Sequence, residues 1–297
     1  MLKILRLAAI TSLVLGTVVM GAGASGAAVA GHGQPSTCTG TLAAPGLLTG
    51  TYRGDVVATG VCAVYGGAAV IKGNLIVAPG SSLVATFGLN DLTGTGTSGM
   101  TVFGNVEVRS GAVLAMGCEP AFDPCSDGPN GTSRSQVFGN VDASHALGVI
   151  IHVSTITGNV RVTGGGGGGG ANCSPPYPGI FAAANTAPFT DSEDSTIGGN
   201  LTITGLNTCW LGSLRNSVHG NVLIAGNTMA KPAADVIVNN VINGSIACYG
   251  NSPAVQYGVF ARSPNLVLRH ASGECAFNVQ KPDPFATGPL EPVSVKA

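Results

Sequence analysis

The chain has 297 residues, of which 13 are Lys or Arg and 14 Asp or Glu, so 9% are charged and the formal net charge is -1. A soluble domain ordinarily carries about 25% charged residues, so a nucleic-acid binder with a basic stripe and a charge-rich disordered chain are both excluded. With 44% hydrophobic residues, 5% aromatic residues and 46 Gly, the core must be built from Val, Ile, Leu and Ala in thin regular layers. That composition suits a solenoid.

In chain order, residues 1–30 read first as a secretory signal. Lys3 and Arg6 precede the apolar run from Leu7 to Met20, and Ala28-Val29-Ala30 offers a small-residue cleavage pattern. The rival reading is a membrane anchor, which wants about 20 apolar residues; this run dissolves into Gly and Ala after Met20. Cleavage would leave 11 basic against 14 acidic residues, a net of -3, in a secreted, extracellular or cell-wall-associated chain with neither a nucleic-acid nor a membrane partner.

All eight cysteines, Cys38, Cys62, Cys118, Cys125, Cys173, Cys209, Cys248 and Cys275, follow that segment. An even count after a signal reads as four disulfides, and pairing between sequence neighbours is the economical choice among the connectivities that remain open. A metal site built on these cysteines would need a Cys-x-x-Cys pair or a His at ligand spacing, and the chain has neither.

One heptad then recurs: apolar, any, Gly, small polar, apolar, any, apolar or small. Ile71-Lys72-Gly73-Asn74-Leu75-Ile76-Val77 and Val102-Phe103-Gly104-Asn105-Val106-Glu107-Val108 are clear copies. Others begin at Val137, Ile156, Ile197, Val218 and Ile242, and Tyr52 opens a degenerate first copy. The alternation predicts strands with one buried face. The repeated glycines, Gly54, Gly73, Gly104, Gly139, Gly158, Gly199, Gly220 and Gly244, are spaced by 19 to 41 residues. The short steps match one coil of a parallel β-helix, and the long ones match a coil carrying a loop. Gly and Asn tolerate the left-handed backbone of a tight corner. Asn74, Asn105, Asn140, Asn159, Asn200 and Asn221 therefore read either as a hydrogen-bonded corner ladder or as solvent-facing positions of straight strands.

The expected fold is all-β: a single-domain right-handed parallel β-helix, or β-solenoid, with loop insertions and capped ends. It divides into a signal peptide (1–30), an N-terminal cap (31–53), the β-helix (54–250), a C-terminal cap (251–279) and a Pro-rich tail (280–297). At most about ten coils would stack into a rod about 40–50 Å long.

The Val-x-Gly-Asn-Val-x-Val coils of residues 54–250 resemble those of secreted parallel β-helix proteins of the pectate-lyase-like architecture. More loosely, they resemble the short Gly-Asp-Ile repeats of the bactofilins, which polymerise end to end. The resemblance implies an architecture and no particular activity, because such folds serve lyases, hydrolases, adhesins and filament formers. A polygalacturonase-like site would imply Asn-Thr-Asp, Asp-Asp, Gly-His-Gly and Arg-Ile-Lys segments, of which only Gly31-His32-Gly33 is present, outside the repeats.

Other chemistry is sparse. Glu107, Arg109, Asp142 and Arg161 read as isolated charges on strand faces. Asp191-Ser192-Glu193-Asp194 is the densest acidic stretch, read as part of an insertion loop, with Asp191, Glu193 and Asp194 as candidate Ca²⁺ donors against a solvated-loop alternative. Glu119, Asp123 and Asp127 form a weaker candidate, and no other cofactor is expected. Gly94-Thr95-Gly96-Thr97-Ser98-Gly99 matches a dinucleotide fingerprint but runs into a strand, and Gly164–Gly170 lacks the Lys of a phosphate loop, so both read as loops. His145, His152 and His219 show no sequence partner. Trp210, Tyr177 and Phe181 suggest packing or a small aromatic patch.

The reading that follows is a non-catalytic secreted structural or adhesive protein of the cell surface or extracellular matrix, touching the outside through residues 118–135 and 164–196. A polysaccharide-active lyase or hydrolase, or a carbohydrate-binding module on the β-helix face, is the alternative. Cell-wall or extracellular polysaccharide and self-association are the partners considered.

Overall fold

The computed structural model describes residues 35–257, 263–277 and 279–280. The signal peptide, the Gly31-His32-Gly33 segment and nearly all of the Pro-rich tail lie outside these residues.

Among the described residues, period-two apolar patterning gives short strands that pair in parallel, each with the equivalent strand of the next coil. Three faces result. Sheet A contains the second half of each heptad, for example Val106–Val108, Val141–Ser144, Val160–Thr163 and Leu201–Thr204. Sheet B contains Val113–Met116, Gly148–His152, Phe189–Glu193, Trp210–Leu214 and Asp235–Val238. Sheet C, made of the heptads' leading residues, is a separate ten-stranded sheet, whereas Val56–Ala63 runs through the A–B corner and joins those faces into one 17-stranded sheet. Ser36–Gly40, Gly46–Leu47 and Gly50–Tyr52 supply one strand to each face, so the segment expected as an N-terminal cap is itself a coil in this structure.

Inside the coils, Val, Ile and Leu form one continuous column of fully buried side chains, with Ile71, Leu75, Leu83, Ile156, Ile197 and Leu201 among the largest. At about 1.5–3 kcal/mol per buried side chain, this column dominates stability. The in-register pairing explains why small branched residues suffice, since each rung packs on a near copy of itself.

The heptad marks the corner from sheet C to sheet A. The Asn side chain accepts the backbone N–H of the next Asn: Asn105 N to Asn74 Oδ1 is 2.9 Å, and Asn140, Asn159, Asn200 and Asn221 continue the column at 2.8–2.9 Å. The column starts at Asp55 and ends at Ser245 N. The motif glycines are there for a different reason than expected. They are not among the residues with positive φ; instead, a Cβ at Gly104 or Gly139 would stand 2.5–2.7 Å from the carbonyl and Asn oxygen of the coil before. Glycine is required by close approach of neighbouring corners, through which the N–H of each motif Gly donates to the carbonyl of the previous one.

The four cysteine pairs are Cys38–Cys62, Cys118–Cys125, Cys173–Cys209 and Cys248–Cys275. The second closes a small loop over sheet B, and the third ties the insertion after Thr163 to the same face.

Candidate functional site

Two polar regions deserve comparison as sites. The first lies on the outer face of sheet A, where the register sets Glu107 beside Asp142 and Asp142 beside Arg161 on three successive strands. With Arg109, Ser144 and Thr163 they line one open groove. Arg109 donates to Glu107 at 2.9 and 3.3 Å. Charges that are isolated along the chain are therefore neighbours in space. Next to this face, at the C–A corner, Phe103 and Phe138 stack with centroids 4.9 Å apart, both about 42% exposed, and the Lys72 ammonium sits 3.6 Å from the Phe103 ring.

The second region is buried on the outer side of sheet B. Asp191-Ser192-Glu193 is a strand here, not an insertion loop, and all three residues are buried. Alternation turns Ser192 inward to a hydrogen bond with Asn216 and leaves Asp191 and Glu193 on the outer side. Across the pairing, Ile150 meets Asp191 and His152 meets Glu193. His152 thus comes within 3.0 Å of Asp191 Oδ1 through Nε2, and within 3.3 Å of Asp123 Oδ1 through Nδ1. Asp123 arrives from the loop closed by Cys118–Cys125.

The corner after sheet B completes the cluster. Val153, Asp194, Arg215 and Asn239 occupy equivalent positions on successive coils, with φ of 48°, 50°, 55° and 55°. For a β-branched residue such as Val153 this backbone is strained, and it adjoins His152. The left-handed turn stacks Arg215 over Asp194. Its Nε lies 2.8 Å from Asp194 Oδ1, and its Nη2 donates to Glu193 Oε2 at 2.7 Å and to Asp194 Oδ2 at 2.6 Å. Phe122 covers the guanidinium at 4.1 Å.

These contacts set the charge states. Burial lowers the affinity of His152 for a proton, but Asp191 and Asp123 more than reverse this and carry its pKa up to about 10. Burial raises Asp123, Asp191 adds to the rise, and His152 opposes it. Glu193 is pushed up to about 8, by burial first and then by Asp191 and Asp123, against the opposing pull of His152 and Arg215. The short Arg215 bond keeps that carboxyl from rising further. Glu119, from the same disulfide loop, is raised by burial and by Asp194.

Beside this cluster is an apolar cleft walled by Val113, Ala115, Ile150, Phe181 and Phe189, with Asp123 and His152 at one end. The short helix Ile180–Ala184 places Phe181 there, and Phe181, Phe189 and Trp210 form an edge-to-face series. Trp210, Tyr177 and Phe181 therefore pack together over sheet B. Gly164 to Gly169 all have positive φ, a path open to glycine at little cost.

Asp191, Glu193 and Asp194 do not converge on one point: Asp191 binds His152, while Glu193 and Asp194 bind Arg215. Asp127 accepts from Gly88 N and Leu89 N. The chemistry that sequence reasoning missed is that of His152 and Arg215, whose partners are 21 to 39 residues away. The available signal was the heptad register, which aligns His152 with Glu193 once coils are superposed. No protein-family model, curated protein or solved structure matches the chain.

Proposed function

We propose that this chain is a secreted, non-catalytic structural or adhesive β-helix protein of the cell surface or extracellular matrix, wound right-handed as parallel crossovers prefer. The observation that carries this reading is the unbroken Asn column from Asn74 to Asn221, which commits the same residue of each coil to holding the next. The strongest polar groups away from that column, His152 and Arg215, are committed to buried partners rather than presented to a substrate. Four disulfides fit an oxidising compartment, and among the described residues no helix is long and apolar enough to cross a membrane.

A second reading, a polysaccharide-active or carbohydrate-binding face, is supported by the Glu107–Asp142–Arg161 groove and the exposed Phe103–Phe138 pair. Incubation with cell-wall and extracellular polysaccharides separates the non-catalytic reading from a polysaccharide-cleaving one. The expected result is binding or coating with no shortening of the polymer. New reducing ends, lost in Glu107→Gln or Asp142→Asn, would overturn the non-catalytic reading.

A further inference from the structure

Within the buried cluster on sheet B, one group is left without a partner. Asp123 is 7% exposed, its Oδ1 faces His152 Nδ1 at 3.3 Å, and its Oδ2 makes no hydrogen bond among the described residues. Buried carboxylate oxygens are normally satisfied, so an orphan of this kind calls for a partner other than the protein. Asp123, His152 and Glu193 each bring one donor atom into the same space, all within 4.8 Å of one another.

From this geometry we infer a binding site for a divalent cation of the zinc type, with Asp123, His152 Nδ1 and Glu193 as ligands and Asp191 orienting the imidazole. An ion with tetrahedral bonds of about 2.0–2.1 Å holds neighbouring donors about 3.3 Å apart. The Asp123–His152 separation has that length, which is long for a charge-assisted hydrogen bond. The other side of the ring is already set, because Nε2 donates to Asp191 Oδ1 at 3.0 Å and so orients the imidazole with Nδ1, the nitrogen that would exchange its proton for the metal, toward Asp123. Arg215 anchors Glu193 by Oε2, which leaves that carboxylate a second oxygen.

Charge points the same way. Four carboxyl groups, Asp123, Asp191, Glu193 and Asp194, surround one guanidinium and one imidazole, a surplus of acidic donors that favours a bound cation. An imidazole with two carboxylates suits zinc and its neighbours, whereas Ca²⁺ prefers six to eight oxygens. The apolar cleft beside Asp123 and His152 leaves room for a water as a further ligand.

The test uses the full disulfide-bonded protein, stripped with a chelator and titrated with Zn²⁺ alone by calorimetry and with Co²⁺ by visible absorption. One ion per chain and intense tetrahedral Co²⁺ bands are expected. Asp123→Asn and Glu193→Gln should each weaken Zn²⁺ binding at least about tenfold, and Asp191→Asn about 10–100-fold. Absence of stoichiometric binding, equal affinity in the Asp123→Asn/Glu193→Gln double variant, or preference for Ca²⁺ would overturn the assignment. Should a variant fail to fold, the X-ray absorption spectrum of the zinc-loaded wild type decides: a histidine nitrogen in the coordination sphere supports the site, and an all-oxygen sphere refutes it.

Discussion

The C–A corner and the outer side of sheet B use polar residues in opposite ways. At the corner, one Asn per coil repeats the same exposed hydrogen bond, so the interaction is divided among many equivalent rungs. On sheet B, His152, Asp123, Asp191, Glu193 and Arg215 form a buried network of unlike groups held by ion pairs, in which Asp123 alone keeps one oxygen without a partner among the described residues. A repeated ladder tolerates local loss because neighbouring rungs remain. A buried network of unlike groups does not, because removing one member strands the rest in a medium of low dielectric.

The largest expected effect comes from breaking that network. Arg215→Met would leave Glu193 and Asp194 without their cation and should cost about 3–5 kcal/mol in urea unfolding. A cost under about 1 kcal/mol would place the cluster with ordinary surface ion pairs and erase the contrast.

A pH test sharpens the comparison on the inward side of sheet B. Asp235 is fully buried, neither of its carboxyl oxygens has a hydrogen-bond partner among the described residues, and burial, followed by the charge of Glu274, pushes its pKa up to about 8. Because the folded state holds this proton while the unfolded chain releases it near the ordinary value of 3.8, stability falls as pH rises from about 4 to about 8. Across that window Asp235→Asn should lack a loss on the order of 2–4 kcal/mol that the wild type shows. Urea midpoints at pH 5 and pH 8 measure it, and parallel pH profiles for the two proteins would refute it.

The smallest effects compare one ladder with another. Asn216 and Asn240 form a buried column at the B–C corner, where Asn216 N donates to Asn240 Oδ1 at 3.0 Å and Asn216 Nδ2 to the Ser192 carbonyl at 2.7 Å. Asn216→Ala leaves buried groups unsatisfied and should cost about 2–3 kcal/mol, whereas Asn140→Ala, on the exposed column, should cost about 1 kcal/mol or less. Equal costs in thermal unfolding would mean that burial does not separate the two regions.

Much of the coil architecture was legible in residues 54–250, because Gly-Asn between alternating apolar residues is a local pattern repeated at every coil. The buried ladders were harder to read. Asn227 and Asn251 also follow glycines, but they lie at the A–B corner, and Asn216 and Asn240 follow Arg215 and Asn239, so no single spacing unites them. The acidic run 191–194 reads as a loop because its charge conceals the strand Phe189–Glu193, which the coil pairing buries, and the corner that follows at Asp194.

By itself the sequence determined the repeating unit, its inward Val, Ile and Leu positions and the all-β class, since strand periodicity and corner chemistry act within a few residues. Only the tertiary structure decided which unlike residues meet. His152 finds Asp191, and Glu107 finds Asp142 and Arg161, because parallel stacking converts separations of 19 to 41 residues into one inter-strand step, while the loop closed by Cys118–Cys125 brings Asp123 to the same histidine. Coil length varies with each insertion, so the register that creates those encounters is a property of the folded stack.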